Sequence, residues 1–234
     1  MKLKRDQIIE EYRRRDTDPT LQARYTLLNP GTLFILQSLE RRLIQTMKRH
    51  NLLPFRNQRV LDFGCGEGGM LSFFIQLGAA PSKLYGCDLL EHRVAKARPK
   101  LPEGVSLVAA DGCSLPFADN AFGLVYVSMV FSSVPDPDMR QEIAKELWRV
   151  VEPGGSILWY DFHIARPGNK TIRAISPKEV QSLFPTSLSF FERLTLLPPI
   201  SQRLVPVSRI AASILEIIPW LRSHHIGVLK KLEK

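Results

Sequence analysis

The pattern of apolar and polar positions divides the chain into a helical beginning and a longer region of alternating strand and helix patterns. Residues 6–15 are mostly charged and carry a thin apolar stripe. After the turn-forming sequence Asn29-Pro30-Gly31, four leucines and Met47 recur at steps of three and four residues until about His50. This spacing places apolar side chains on one face of a helix, so we predict two N-terminal helices.

From Arg59 onwards, short apolar runs alternate with helical segments. Five runs have the length and boundaries of buried strands: RVLDF, KLYGCD, VSLVAAD, AFGLVYVSMV and SILWYDF. The helix before the fifth run begins at Asp136-Pro137, an N-cap followed by proline at the first helical position. Strands and helices that alternate at this spacing predict a parallel sheet with helices on both faces.

The end of the chain departs from simple alternation. Ser176 and Glu179 form a capping box that opens a short helix. LSFFERLTLL and HHIGVLKKL are typical of two strands, and residues 207–218 between them are typical of a helix. Strands joined in this way pair antiparallel at a sheet edge. We therefore predict one α/β domain over 1–234, with an N-terminal helical cap (1–57), a core (58–163) and a substrate-side and sheet-edge region (164–234).

Composition narrows the class of protein. Hydrophobic residues make up 44% and charged residues 24% of the chain, which excludes a disordered tail, a collagen and a disulfide scaffold. The longest uncharged stretch, residues 120–135, is shorter than the roughly 20 residues of a membrane span. The N-terminus is charged where a signal peptide is apolar, so we expect a cytoplasmic protein. Three cysteines without metal-ligand spacing indicate small buried thiols and no metal site.

The charge distribution is uneven. The net charge is +9, and the excess of lysine and arginine lies in both ends of the chain, while the middle is slightly acidic. Basic ends suit a nucleic acid, a membrane surface or a phosphorylated substrate, and they also suit solubility alone.

A glycine-rich loop carries the clearest candidate chemistry. The sequence DFGCGEGG, residues 62–69, follows the first predicted strand and opens a helix, where free backbone N–H groups attract an anionic ligand. The spacing of Gly64, Gly66 and Gly69 also satisfies the dinucleotide fingerprint. Asp88, at the end of the second strand, fits a ribose-binding acid in either case, so the glycines alone leave two cofactor classes open.

Two further acids favour a cationic cofactor that carries an exocyclic amine. Asp62 would add a negative charge where a pyrophosphate site gains nothing from one, whereas it favours an ammonium or sulfonium ligand. Asp111, followed by Gly112 at the end of the third strand, is placed to accept a hydrogen bond from an exocyclic amine. A sharp turn at residues 152–155 leads into the fifth strand.

Four segments resemble the motifs of a known family and stand in the order in which that family has them. They are VLDFGCGEGG, YGCDL, AADGCSLPFADNAFGLVYVSMVFSSVPD and ELWRVVEPGGSILWYDF. Together, over residues 58–163, they resemble class I S-adenosylmethionine-dependent methyltransferases of the small-molecule type 11 branch. Both ends are similar to uncharacterised bacterial methyltransferases of surface-polysaccharide and related biosynthetic clusters. The resemblance implies a Rossmann-like sheet of seven mostly parallel strands with helices on both faces, N-terminal helices, and a helical insertion before a last antiparallel strand.

The resemblance also implies S-adenosyl-L-methionine as cofactor and gives a role to each matching position. The loop residues would surround the methionine part with Asp62 beneath them, Asp88 and its neighbour Leu89 would hold the ribose, Asp111 and Gly112 would lie beside the adenine, and Ser128 would meet the methionine part through its backbone. The loop residues in this set are Gly64, Cys65, Gly66, Glu67 and Gly68.

Methyl transfer from a sulfonium needs in-line alignment, and it needs a base only if the acceptor is a poorly ionised group such as a hydroxyl. His163 follows the fifth strand at the ligand-binding end of the sheet, so we predict it as the base, with Asp161 as an alternative. Arg166, Lys170 and Arg173 are candidates to hold an anionic acceptor, and residues 207–218 are a candidate roof for the acceptor pocket.

The sequence thus predicts a methyltransferase for a small-molecule acceptor, most readily an oxygen of a sugar, a lipid-linked glycan or a secondary metabolite. Peripheral membrane contact is compatible with this prediction. The alternatives are an RNA methyltransferase and a non-catalytic protein that binds S-adenosylmethionine. We expect no nucleic-acid partner, because Ser128-Met129-Val130-Phe131 replaces the Asn/Asp-Pro-Pro-Tyr type that accompanies attack by a base nitrogen.

Overall fold

A computed structural model describes residues 2–55, 57–164 and 173–233. The described chain contains seven strands in a single sheet: β1 (Val60–Phe63), β2 (Leu84–Asp88), β3 (Ser106–Ala109), β4 (Phe122–Ser128), β5 (Val151–Phe162), β6 (Ser187–Leu196) and β7 (Arg222–Lys231). Its α-helices are α1 (Lys2–Thr17), α2 (Pro19–Tyr25), α3 (Pro30–Arg49), α4 (Gly69–Gln76), α5 (Glu91–Ala97), α6 (Pro137–Val150), α7 (Pro177–Leu183), α8 (Pro198–Leu204) and α9 (Arg209–Ile217).

The order of strands across the sheet is β3-β2-β1-β4-β5-β7-β6. Strands β1 to β5 are parallel to one another, and β7 lies antiparallel between β5 and β6. The order reverses beside β1, since β2 lies on one side of it and β4 on the other. In open α/β sheets such a reversal opens a crevice at the carboxyl ends of the strands, where ligands bind. The predicted seven-stranded, mostly parallel fold is confirmed.

Alternating side chains of the strands form the two faces of the core. Leu61, Val125 and Trp159 belong to one buried cluster, and Val60 and Tyr126 belong to the other. Helices α6 and α7 cover the first face, and α3 and α4 cover the second. The helices thus lie on both sides of the sheet, as alternation in the sequence predicted.

Three local features differ from the sequence pattern. Helices α2 and α8 are additional to the predicted helices; both have proline in the first turn, which a helix tolerates because that turn needs no amide donor. Strand β5 begins at Val151, ahead of the predicted turn at 152–155. The turn is an irregularity within the strand, because the pairing with β4 jumps between Phe122–Val151 and Leu124–Ser156.

The chain between β6 and β7 lies at the same edge of the sheet as the crevice. Strand β6 pairs antiparallel with β7, which in turn pairs antiparallel with β5, so β6 runs in the same direction as β5. Helices α8 and α9 therefore follow the carboxyl end of β6. None of the described helices combines the length and the apolar character that a bilayer crossing requires.

Candidate active site

A cavity of about 300 Å³ lies at the carboxyl ends of β1 to β4. Its floor and sides come from the segments that follow these strands, and its roof comes from α1. The strand-end residues in its wall are Phe63, Gly64, Cys87, Asp88, Leu89, Leu90, Ala110, Asp111, Gly112, Ser128, Met129 and Val130. Six of the eleven predicted cofactor positions thus share one cavity.

The glycine loop is held close to β2 and β4. The amides of Gly64 and Cys65 both donate to the carbonyl of Cys87, at 2.8 and 2.9 Å. Gly64 has a φ of 77°, and a Cβ there would lie 2.5 Å from Val130 Cγ2. Both the left-handed backbone and this close approach require glycine at position 64. Gly68 precedes α4 without a side-chain cap, so the first amides of α4 remain available as donors.

Asp88 bridges the loop and the start of the following turn. Its Oδ2 accepts from the amide of Gly66 and its Oδ1 accepts from the amide of Leu90, both at 2.9 Å. A carboxylate oxygen has more than one acceptor direction, so each oxygen can still accept from one of two adjacent hydroxyl groups in the cavity. Asp88 is chemically suited to hold a ribose.

Asp62 lies beneath the loop and outside the cavity wall. Its carboxyl is buried, and its Oδ2 has no hydrogen-bond partner among the residues that the structure describes. Burial, and then the charge of Asp88, raise the pKa of Asp62 to about 8. Without a cationic neighbour this group is mostly protonated at neutral pH, and a sulfonium or ammonium nearby would favour its ionised form.

Asp111 and Gly112 form the wall at the end of β3. Asp111 accepts from the amide of Cys113 at 3.0 Å and from Arg5 Nη1 at 3.1 Å. A Cβ at Gly112 would lie 2.7 Å from Cζ of Phe63, a buried ring, so position 112 is restricted to glycine.

The other predicted loop residues do not belong to the wall. Glu67 pairs with Lys96 at 3.4 Å and with Lys100, on the outside of the loop. The Cys65 side chain is buried, and burial raises its pKa. Gly66 reaches the site indirectly through its amide bond to Asp88, and Gly68 precedes α4.

Helix α1 supplies wall residues that the sequence did not identify. Arg5, Ile8, Tyr12 and Arg15 face the cavity. The Tyr12 hydroxyl donates to Ser133 Oγ at 2.9 Å. The only sequence signal is the spacing of Ile8 and Tyr12, one helical turn apart on an otherwise charged helix.

The end of α1 is fastened to α5. Asp16 accepts hydrogen bonds from Arg93, including one from Nε at 3.0 Å, and lies 2.8 Å from His92 Nε2. The Arg93 guanidinium also lies 4.6 Å from the centre of the Tyr12 ring, close enough for a cation–π interaction. These contacts hold α1 over the cavity.

His163 lies at the end of β5 and is not among the wall residues. Its ring Nε2 is 2.8 Å from the carbonyl oxygen of Arg222. Because a carbonyl only accepts, Nε2 carries the proton and Nδ1 is left as an acceptor in the neutral ring. Burial lowers the pKa of His163, so the neutral ring predominates at pH 7.

The alternative base, Asp161, has no exposed surface. Its carboxylate accepts from the amides of Ser132 and Phe162, and burial raises its pKa to about 6. Of the three predicted basic residues, Arg166 and Lys170 lie outside the described residues. Arg173 lies 3.8 Å from Glu179.

Comparison with known proteins places the core in a family. Residues 61–159 match the family model described as a methyltransferase domain. The chain is 33% identical over 110 residues to the sterol 4-C-methyltransferase strm-1 of Caenorhabditis elegans, a match that covers 45% of this chain and 31% of that protein. It is 30% identical over 128 residues to the ubiquinone/menaquinone biosynthesis C-methyltransferase UbiE of Cronobacter sakazakii, covering 52% of this chain and 50% of that one. The chain thus spans half or less of the length of these curated relatives.

A solved structure extends the similarity to most of the chain. A SAM-dependent methyltransferase from Methanosarcina mazei superimposes with a TM-score of 0.55 at 19% identity, over 79% of this chain and 97% of that one. This confirms the fold, and the family match confirms the resemblance drawn from the four motifs. Over residues 61–159 this chain is therefore similar to methyltransferases, and it shares the fold of a SAM-dependent methyltransferase.

Proposed function

We propose that this protein transfers a methyl group from S-adenosylmethionine to a small-molecule acceptor. The observation that carries the proposal is the shared cavity, in which Asp88, Asp111 and the glycine loop meet at the carboxyl ends of the strands. The names of the relatives, which refer to sterol and quinone biosynthesis, support a small organic acceptor. When bound, S-adenosylmethionine supplies an electrophilic methyl group on a sulfonium.

The residues of this chain would bind and orient rather than react. Asp88 would accept from the ribose hydroxyls with the lone pairs that Gly66 and Leu90 leave available. Asp111 would accept from the adenine amine. The backbone of Gly64 and Ser128 would lie against the methionine part, and α1 would exclude water from above. Alignment of this kind can account for roughly 7–11 kcal/mol of barrier reduction in a displacement.

Two kinds of acceptor atom are candidates for methylation, oxygen and carbon. The sequence favours an oxygen of a sugar, a lipid-linked glycan or a secondary metabolite. Both curated relatives are named C-methyltransferases, so attack by carbon is the second candidate. A stabilised carbanion needs no further base at the moment of attack, whereas a hydroxyl does.

A methyl-transfer screen tests the proposal. The protein is incubated with methyl-labelled S-adenosylmethionine and panels of quinone precursors, sterols, lipid-linked sugars and free sugars, and labelled products are located by NMR. We expect transfer to one panel and its loss in Asp88→Asn. Binding of the cofactor without transfer to any panel would favour the non-catalytic alternative.

His163 is proposed as the base for a hydroxyl acceptor. Its neutral ring with Nδ1 as acceptor can take a proton, although its distance from the cavity wall requires the acceptor to extend towards β5. We expect His163→Ala to lower kcat by roughly 10²–10⁴ and to leave cofactor affinity unchanged. Turnover within a few-fold of wild type would instead make His163 a residue that fixes the end of β5 to Arg222.

A further inference from the structure

Helix α9 and two neighbouring segments expose an unusual number of large apolar side chains. We call this surface the apolar face and define it by seven residues: Leu27, Leu28, Val207, Ile210, Ile214, Ile217 and Trp220. Each is more than half exposed, and Leu28 is 90% exposed. A surface of this kind on a globular protein usually marks a binding site.

The fold does not require these side chains to be apolar. Ile210, Ile214 and Ile217 recur at steps of four and three, so they share the outer side of α9. The inner side of the same helix uses Ala212 and Leu215 to pack against the cluster around Phe34. Helix α9 is therefore apolar on two sides, and only one of them serves the core.

The residues before α3 continue the same surface. The backbone at Gly31 packs so closely on α8 that a Cβ there would lie 2.6 Å from Gln202 Cα. Residues 27–28 precede this contact by only three to four residues, so they lie near the start of α3 and on the same side of the molecule as α8. Arg209 donates to Gln37 at 2.6 Å, so the start of α9 lies against α3. The seven side chains belong to adjoining elements.

Positive charges predominate around the apolar face. Residues 198–222 contain three arginines and a single acid, Glu216, and residues 19–39 contain no acid. The Glu216 side chain is only 15% exposed and accepts from Ser38 Oγ at 2.6 Å, so it contributes little negative potential outside. Arg203 and Arg209 are exposed. An aliphatic surface with arginines and a tryptophan at its border has the composition of helices that lie in a membrane interface.

We propose that the apolar face docks on the surface of an anionic lipid bilayer, with its aliphatic side chains in the interface and its arginines at the lipid headgroups. Charge favours this occupant over a second copy of the chain, because a symmetric pair would bring the same arginines together. The face also lies at the carboxyl edge of the sheet, as the cavity does. Docking would therefore bring the cavity edge towards the bilayer.

Vesicle flotation tests the proposal. The full chain is mixed with vesicles of phosphatidylcholine containing phosphatidylglycerol, and separately with pure phosphatidylcholine vesicles. We expect the protein to float with the anionic vesicles and to be released by high salt, which screens the arginines. Ile210→Gln combined with Ile214→Gln should weaken binding at least about tenfold, because two aliphatic side chains no longer enter the interface.

A matched control is Leu188→Gln. Leu188 is 60% exposed at the start of β6, at the opposite edge of the sheet, so this variant should float like wild type. Cooperative melting of each variant shows whether it is folded. Vesicle binding requires neither acceptor nor methyl transfer, so its result is independent of the proposed function.

Three results would overturn the proposal. Wild type that stays unbound with anionic vesicles would exclude the bilayer as occupant. A folded double variant that floats like wild type would show that the apolar face is not the contact. A wild type that is dimeric by sedimentation, does not float, and becomes monomeric in the double variant would assign the face to a second copy.

Discussion

Two carboxyl groups near the glycine loop have opposite surroundings. Asp88 accepts two backbone amide bonds and faces the cavity, whereas Asp62 is buried beneath the loop with one oxygen unpartnered. Burial with too few hydrogen bonds disfavours the charged carboxylate. The pKa of Asp62 is therefore raised, and the side chain stays protonated at pH values where an aspartate exposed to water is ionised. An aspartate thus has acceptor oxygens at the cavity in one position and a strongly raised pKa in the core in the other.

The first prediction concerns stability in Asp62→Asn. The pKa of Asp62 is about 8 in the folded state and about 3.8 in the unfolded state. Between these pH values the folded state binds more protons, so the free energy of unfolding of wild type falls as pH rises. Asparagine resembles the protonated acid and does not titrate. We expect the stability of the variant, relative to wild type, to rise by up to about 1.4 kcal/mol per pH unit between about pH 4 and 8.

Urea unfolding of both proteins at several pH values measures this difference. Buried His224 and His225, whose pKa values burial lowers to about 3 and 4, also titrate on unfolding, but they contribute equally to both proteins and cancel. A difference that is constant over the window would mean that Asp62 is ionised throughout.

The sequence predicts which cavity residues belong to motifs, but it does not predict those that only the fold brings to the cavity. Gly64, Asp88 and Asp111 are defined by neighbours in the chain, so motif spacing predicted their place in the site. Arg5 and Tyr12 reach the cavity only because α1 folds back over distant strand ends. Met129 lines the cavity with a left-handed φ of 58°, which costs energy in a residue with a side chain and leaves no mark in the sequence.

At the scale of elements, α1 is the roof of the cavity, and the contacts of Asp16 with His92 and Arg93 hold its end on α5. The Asp16 and Arg93 side chains are 23% and 20% exposed, so their attraction is only partly screened. Loss of the Asp16 carboxylate weakens the attachment of α1 to α5 and leaves the strand-end residues of the cavity in place. Cofactor release should then become faster.

The second prediction is that Asp16→Asn raises the dissociation rate of S-adenosylhomocysteine, the demethylated product, about three- to tenfold, as expected for the loss of roughly 1 kcal/mol. Displacement of a fluorescent cofactor analogue in stopped flow measures the rate. The matched control is Asp6→Asn, which makes the same charge change at an exposed position of the same helix. Equal rates in the two variants would show that α1 does not limit release.

The elements themselves were largely predictable because periodicity and caps are local signals. Asp136 and Ser176 cap their helices as their positions in the sequence indicated, and Asn29, predicted only as part of a turn, caps α3. The short helices α2 and α8 were not predicted, since seven residues give little periodicity and their helical state depends on neighbours. The start of β5 depends on pairing across the sheet with β4, which the sequence of 151–155 does not encode by itself.

At the scale of the whole molecule, the net charge of +9 raises the question of a nucleic-acid partner. The third prediction is that total RNA is not retained in gel shifts at low salt. The basic surface described around α9 is interleaved with aliphatic side chains, whereas single-stranded RNA is usually held by basic grooves with stacking aromatic residues. Tight retention that weakens steeply with salt would contradict this and favour the RNA methyltransferase alternative.

The last prediction uses the stability of the whole domain as a readout of its cofactor. A ligand that binds only the folded state adds about 2.7 kcal/mol at one hundred times its Kd. For a chain of this size each kcal/mol raises Tm by roughly 2–4 °C, so S-adenosylmethionine at that excess should raise Tm by about 5–10 °C. NAD, which the glycine spacing alone would also admit, should leave Tm unchanged.

In Asp88→Asn the loss of charged acceptors for the ribose should cost about 1.5–3 kcal/mol of affinity and remove about half to nine tenths of the shift at the same concentration. The variant is compared with its own ligand-free Tm, because the amides of Gly66 and Leu90 also depend on this carboxylate. A shift with NAD and none with S-adenosylmethionine would mean that the cavity holds a dinucleotide despite Asp62 beneath the loop.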